Sequence, residues 1–220
     1  MSTLLHIDAS GRATRSLSRA LSRRFVEGWL AARPGDRVIR RDLAKDPPPL
    51  MSEAWIAAAF AKPQARDAAA REALRYSDAA IDELAAADVI VLGAPMYNYG
   101  MPAALKAWVD QVVRVGRTFS FDLARGDQPI EPILAGKRLV VLSARGEFGF
   151  GAGGERAARN HLDPHLATVA PYLGVAPGAI RTVAVEYQEF GDGRFARSRE
   201  EAERAVDALA AELAGTAVAA

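Results

Sequence analysis

The run Ala94-Pro95-Met96-Tyr97-Asn98-Tyr99-Gly100-Met101-Pro102 follows the apolar stretch Val89-Ile90-Val91-Leu92 and precedes an amphipathic helical pattern from Ala103 to Val115. In an open α/β sheet, the crevice outside the carboxyl ends of the strands binds ligands. The apolar surfaces of Met96, Tyr97 and Tyr99 suit packing against a flat aromatic cofactor, and loop N–H groups and the Asn98 amide suit its polar rim. The same residues also make an ordinary strand-to-helix turn, with Pro102 at the first helical position, where its missing N–H is not needed.

Two further segments carry complementary chemistry. Ser10-Gly11-Arg12-Ala13-Thr14-Arg15-Ser16-Leu17-Ser18 ends at an expected helix N-terminus, whose free N–H groups and dipole favour an anion. The hydroxyls of Ser10, Ser16 and Ser18 add donors suited to a phosphate; the plainer alternative is that Ser16 only caps the helix while Arg12 and Arg15 are solvated. Neither a Walker pattern nor G-x-G-x-x-G follows the first strand, which argues against ATP and against a dinucleotide-binding turn. The stretch Ala144 to Gly154 offers Arg145 and Gly146 to cover the polar edge of a ring, and Phe148 and Phe150 to line a pocket. Its many glycines make it permissive and, by expectation, mobile.

Other reactive residue types read more blandly. His6 lies mid-strand and is expected to be a core or supporting residue. His161 and His165 are four apart on a helix without a third ligand nearby, so no metal site is expected. Ser143 lacks His and Asp partners and a G-x-S-x-G setting, which leaves no hydrolase triad.

These segments need a frame to bring them together. Leu4 to Ile7 reads as a buried strand, followed by a polar loop and by helical spacing of Leu17, Leu21, Phe25 and Trp29. Pro34-Gly35-Asp36 closes that unit, and Val38 to Leu43, interrupted by charge, reads as a strand nearer an edge. Residues 45 to 64 hold four prolines around a short helix at Glu53 to Ala61. A long helix from Ala65 to Ala87 leads into the strand Asp88 to Gly93. Arg117 to Pro132 has no sustained period and is expected to be a loop or short hairpin. A strand at Arg138 to Ser143, a helix at about Leu162 to Leu173, a strand at about Ile180 to Tyr187 and a helix at about Arg197 to Leu213 complete the chain. Five alternations of strand and helix imply a doubly wound parallel five-stranded sheet, order 2-1-3-4-5, covered by helices on both faces. Its switch point lies between the first and third strands, and the three loops above meet there.

Composition narrows the function classes. With 220 residues, one α/β domain spanning 1–220 is expected, although Ala-rich helices make its core smaller than the 50% hydrophobic content suggests. Lys plus Arg (28) nearly cancel Asp plus Glu (27), so no global field attracts nucleic acid or an anionic membrane. The absence of Cys excludes disulfides, thiolate metal sites and cysteine nucleophiles, so any redox chemistry must come from a bound cofactor. No leader-like segment and no apolar run of about 18 residues is seen, and a cytoplasmic location is expected.

The run from Ala94 to Phe119, including Leu105-Lys106-Ala107-Trp108-Val109-Asp110-Gln111, closely resembles the FMN-dependent NADH azoreductases, flavodoxin-like enzymes that also reduce quinones. The resemblance covers nearly the whole chain. It implies that Ser10, Ser16, Leu17 and Ser18 hold the FMN phosphate, that Met96, Tyr97, Asn98 and Tyr99 pack and hydrogen-bond the isoalloxazine, and that Ala144, Arg145, Gly146 and Glu147 border it. Where that family reads Thr-Ser-Arg-Gly-Gly, this chain reads Ser143-Ala144-Arg145-Gly146-Glu147, which loses a hydroxyl and a small residue and gains a carboxylate. Phe119 and Phe121 fall where the family places aromatic residues near the active site, and Phe148 joins them as a candidate for the substrate pocket. The resemblance further implies a homodimer and a ping-pong cycle in which NADH or NADPH reduces the flavin and a quinone or azo compound reoxidises it. No side-chain nucleophile is required. Competing readings are a flavodoxin-like electron carrier, against which the near-neutral charge speaks, and a flavin-binding regulatory protein without turnover.

Overall fold

The computed structural model describes residues 1–216. The elements in chain order are β1 Thr3–Asp8, α1 Leu17–Ala32, β2 Arg37–Asp42, α2 Glu53–Phe60, α3 Ala68–Ala86, β3 Val89–Pro95, α4 Ala103–Val112, β4 Phe119–Phe121, β5 Ile130–Pro132, β6 Lys137–Ala144, α5 Asp163–Val169, β7 Val175–Val185 and α6 Gly193–Thr216. Five strands pair in parallel in the order β2-β1-β3-β6-β7, which is the expected 2-1-3-4-5 arrangement, and β4 and β5 form a separate antiparallel hairpin.

Alternating side chains of the central strands divide the core in two. Leu5, Ile7, Ile90, Leu92, Leu139 and Val141 face Ile81 and Leu84 of α3, Trp108 and Val112 of α4, and Leu166 of α5. Leu4, Val89, Val91, Val140 and Leu142 face Phe25 and Trp29 of α1 and Val206 and Leu209 of α6. Burial on both faces explains why these strands read as continuous apolar runs, whereas β2, on the sheet edge, keeps its charges. His6 is buried in β1 with Nδ1 2.8 Å from Nη1 of Arg40, a supporting position rather than a site.

Several boundaries differ from the sequence pattern for local reasons. Helix α4 stops at Val112 rather than Val115, because Thr118 Oγ1 donates to the Val112 carbonyl and accepts the Arg114 N–H, each at 2.9 Å. Pro102 precedes α4 instead of starting it, and its carbonyl accepts from Leu105 and Lys106 N–H. Strand β7 begins at Val175, five residues early, across a register irregularity opposite Lys137 and Leu139. Helix α6 begins at Gly193 because the Asp192 side chain accepts the Arg194 N–H at 2.9 Å. The Arg194 guanidinium holds the Asp192 carboxyl down at about 2. The helical turns after α5 tighten to a 3-10 form at Ala170–Leu173, where Pro171 offers no N–H. No described helix is long and apolar enough to cross a membrane.

Candidate cofactor site

Because β1, β3, β6 and β7 run in parallel, their following loops share one rim of the sheet. A cleft of about 400 Å³ opens there, lined by the segments 10–18, 95–98 and 144–146 and by Gln188 and Glu189. Ser10, Ser16, Leu17, Ser18, Met96, Tyr97, Asn98, Ala144 and Gly146 therefore come together as expected. Arg12 and Arg15, which could have been merely solvated, also face the cleft.

The serine wall is built on the first turn of α1. Ser16 caps the helix, its hydroxyl accepting the Arg19 N–H at 3.4 Å and lying 3.4 Å from the Ser18 hydroxyl. The first-turn N–H groups above it have no intrahelical acceptor, so they can point at an anion. Arg19, buried behind this turn, fixes its position. Its guanidinium donates to the Ser10 carbonyl at 2.7 and 3.2 Å and bidentately to Asp42 at 2.6 and 2.8 Å, and Asp8 lies 3.5 Å away. The hydrogen bonds to Arg19 hold the Asp42 carboxyl below the usual range, and the same bonds raise the Arg19 guanidinium. A Cβ on Gly93 would stand 2.5 Å from Asp8 Oδ1 and 3.1 Å from the Ser18 carbonyl, so glycine there lets α1 sit directly against β3.

The ring-sized wall is a reverse turn. Tyr97 and Gly100 exchange both backbone hydrogen bonds at 3.0 Å, with Asn98 at φ 48° and Tyr99 at φ 66°. Two consecutive positive φ values define a type I′ turn, and a tyrosine in the second position is strained. That turn leaves Tyr97 and Tyr99 about two-fifths exposed. Tyr97 lines the cleft, whereas Tyr99 packs on Phe150 with centroids 6.2 Å apart and its hydroxyl lies 3.4 Å from Glu147.

Three residues expected in the fourth-strand loop behave differently from one another. Gly146 lines the cleft, but the Arg145 side chain turns inward and is 3% exposed, paired with Asp163 at 2.6 Å and Glu186 at 3.2 Å. Glu147 is drawn toward Arg156 at 3.6 Å. Glu186 also accepts the N–H groups of Gly149 and Phe150, and Asn160 donates to the Phe150 carbonyl. The glycine-rich loop is thus pinned at several points rather than left as a loose connection.

The aromatic candidates separate. Phe148 stacks on Tyr187 with centroids 4.4 Å apart, under the Arg156 guanidinium. Phe119 lies instead in a second, apolar cleft of about 290 Å³ with Trp55, Phe60, Val113 and Tyr172, and Phe121 is exposed on the β4–β5 hairpin. The hairpin follows α4 and leaves the rim, so neither residue joins the first cleft. Gln188 and Glu189 escaped the sequence reading. The parallel order itself was the available signal, since the loop after the last strand must end at the same rim. Among the described residues, no group of three or more His, Asp or Glu is placed to hold a metal ion.

The donor set fits a phosphate-bearing, flat-ringed ligand: hydroxyls, helix N–H groups and guanidinium groups at one end, apolar edges and an amide at the other. Comparison with known proteins points the same way. Residues 2–210 match the family described as having a flavodoxin-like fold. The chain is 48% identical over 220 residues to FMN-dependent NADH:quinone oxidoreductase 2 of Idiomarina loihiensis, covering 97% of this chain and 91% of that protein. It is 42% identical over 211 residues to FMN-dependent NAD(P)H:quinone oxidoreductase 1 of Pseudomonas aeruginosa, covering 96% and 99%. The crystal structure of an azoreductase from Bacillus anthracis superposes with a TM-score of 0.80 at 25% identity, covering 97% of this chain and 99% of that one.

Proposed function

This chain belongs to the flavodoxin-like family whose relatives are FMN-dependent NADH:quinone oxidoreductases, and from that premise we propose that it is an FMN-dependent NAD(P)H oxidoreductase acting on quinones and azo compounds. The observation that carries this reading is the meeting of the serine turn, the Met96–Asn98 turn and Ala144 and Gly146 in one cleft. Bound FMN supplies a hydride acceptor and donor in one group, which lets NADH or NADPH and then a quinone or azo compound use one site in turn, a ping-pong order.

The protein contributes binding and electrostatics. Ser10, Ser16, Leu17 and Ser18 hold the phosphate with hydroxyls and helix N–H groups, and Arg12 and Arg15 balance its charge. Met96, Tyr97 and Asn98 pack and hydrogen-bond the ring, and Ala144 and Gly146 border it with little bulk. Tyr99, Arg145 and Glu147 act from behind, holding the two loops at their separation. Phe148 lies on the substrate side of the rim. Phe119 and Phe121, outside this cleft, complete a substrate pocket across a homodimer, which the apolar second cleft and the exposed Phe60 and Leu123 support. The balanced charge gives no field that would draw nucleic acid or an anionic membrane, and in this reading the enzyme acts on small molecules in the cytoplasm.

Anaerobic addition of NADH to the purified flavoprotein tests the reading. The expected result is bleaching of the yellow colour, restored by a stoichiometric quinone. Flavin that NADH leaves oxidised would instead identify an electron carrier or a regulator.

A further inference from the structure

The far wall of the cleft carries a charge with no partner. Tyr187, Gln188 and Glu189 donate their N–H groups to the carbonyls of Glu147, Arg145 and Gly146 at 3.0, 3.3 and 3.0 Å, so the loop after β7 is locked onto the loop after β6. The Glu189 side chain then lies across Gly146, where a Cβ would stand 2.5 Å from Oε1. Glycine at 146 is what leaves room for that carboxylate in the cleft. Glu189 has no hydrogen-bond or ion-pair partner among the described residues, although it lines the cleft beside Gln188. Glu147, the carboxylate that the sequence singles out, is occupied by Arg156 and Tyr99.

A carboxylate only accepts, so what it can recognise in a ligand is a donor. The cleft's hydroxyl and guanidinium donors crowd the opposite end, after β1, three strands from β7 in the sheet. A flavin mononucleotide seated with its phosphate there would extend through the ribityl chain and present its ring toward Gly146 and Glu189. In its oxidised form the rim of that ring carries one N–H, the imide N3–H between two carbonyls. We propose that Glu189 is a specificity-determining residue that accepts the hydrogen bond of the flavin imide N3–H. The proposal rests on the FMN reading above. Gly146 serves it by leaving the carboxylate's path clear, and Gln188 adds an amide that can donate to an adjacent ring carbonyl.

The test is a fluorescence titration of the apoprotein with FMN and with 3-methyl-FMN, for the unmodified chain, Glu189→Ala and Glu189→Gln. The unmodified chain should prefer FMN by about tenfold or more, the loss expected when a charge-assisted hydrogen bond is blocked. Glu189→Ala should bind FMN about tenfold more weakly and treat both flavins alike. Glu189→Gln, which keeps a carbonyl acceptor, should restore part of the preference. Equal binding of the two flavins by the unmodified chain, or an undiminished preference in Glu189→Ala, overturns the role of Glu189 while leaving the flavin site intact. Failure of the unmodified chain to bind FMN at all overturns the functional reading itself.

Discussion

The two clefts of this molecule are built from opposite materials. The one at the sheet rim is walled by serine hydroxyls, helix N–H groups, arginines and a strained turn, all emerging from the most buried strands. The other lies between α2, α4 and the stretch around Tyr172, and its wall is mainly apolar, with Trp55, Phe60, Val113 and Phe119 beside the charged Lys106 and Asp110. The first has many polar atoms whose positions are set by buried ion pairs; the second has shape and apolar area. Binding chemistry at the rim is therefore directional and intolerant of small shifts, while the second cleft can change by repacking. A substitution should reveal which kind of wall it has touched.

Trp55→Ala carries the largest expected effect and should leave the rim untouched. Trp55 is buried in a small satellite cluster with Ala58, Ala59 and Leu74, and its Nε1 donates to Gln111 at 2.9 Å. Removing it should lower stability by about 3–5 kcal/mol by denaturant melting, with FMN affinity of the folded protein unchanged. A parallel loss of FMN would show that the two clefts are mechanically one.

Arg19→Ala should do the reverse. It strips Asp42 of both guanidinium hydrogen bonds and the Ser10 carbonyl of its donor, costing about 2–3 kcal/mol, and it frees the serine turn. FMN affinity should fall by more than tenfold; retention of FMN despite the stability loss would show that the turn holds its shape without this strut.

Asn98 sharpens the comparison further. Ala at a positive φ costs about 1 kcal/mol and also deletes the amide, whereas Gly accepts the backbone and deletes only the amide. Asn98→Gly should therefore keep stability and still weaken FMN retention or slow flavin reduction. If only Asn98→Ala is impaired, the residue serves the turn and not the ring.

The smallest effect is the acid limb. The folded-state pKa of Asp42 is depressed, so its pairing with Arg19 stabilises the fold above the unfolded carboxylate value near 3.9 and is lost as pH falls through the lower folded value. Asp42→Asn should therefore cost more stability at pH 7 than at pH 3. An identical difference between mutant and parent at both pH values would sever the link between that pair and acid sensitivity.

The sheet order was legible because burial on both faces writes β3 and β6 as apolar runs, and β1 as one broken only by His6, and the glycine and proline content of the 94–102 segment marks the turn at their rim. What the residues did not declare was direction. Arg145 and Glu147 sit next to Gly146 in the chain, yet opposite charges on Asp163, Glu186 and Arg156 draw them away from the cleft. Such pairings join segments that are far apart in sequence, and periodicity carries no trace of them. The same holds for Phe119, whose neighbour Tyr172 comes from a different crossover. Glu189 was missed for the converse reason: it belongs to a connection with no motif, and although the parallel order brings that connection to the rim, the pairing of 145–147 with 187–189 is what lays its side chain across Gly146.

Gly93 gives this architecture a single calibration point. The Asp8 carboxylate, the Ser22 hydroxyl and the Ser18 carbonyl all close over Gly93, so this one position fixes the gauge between the serine turn at the start of α1 and the turn after β3. A methyl group at 93 would press on all three and shift α1 against β3, changing the span of the rim while leaving every cleft-lining residue as it is.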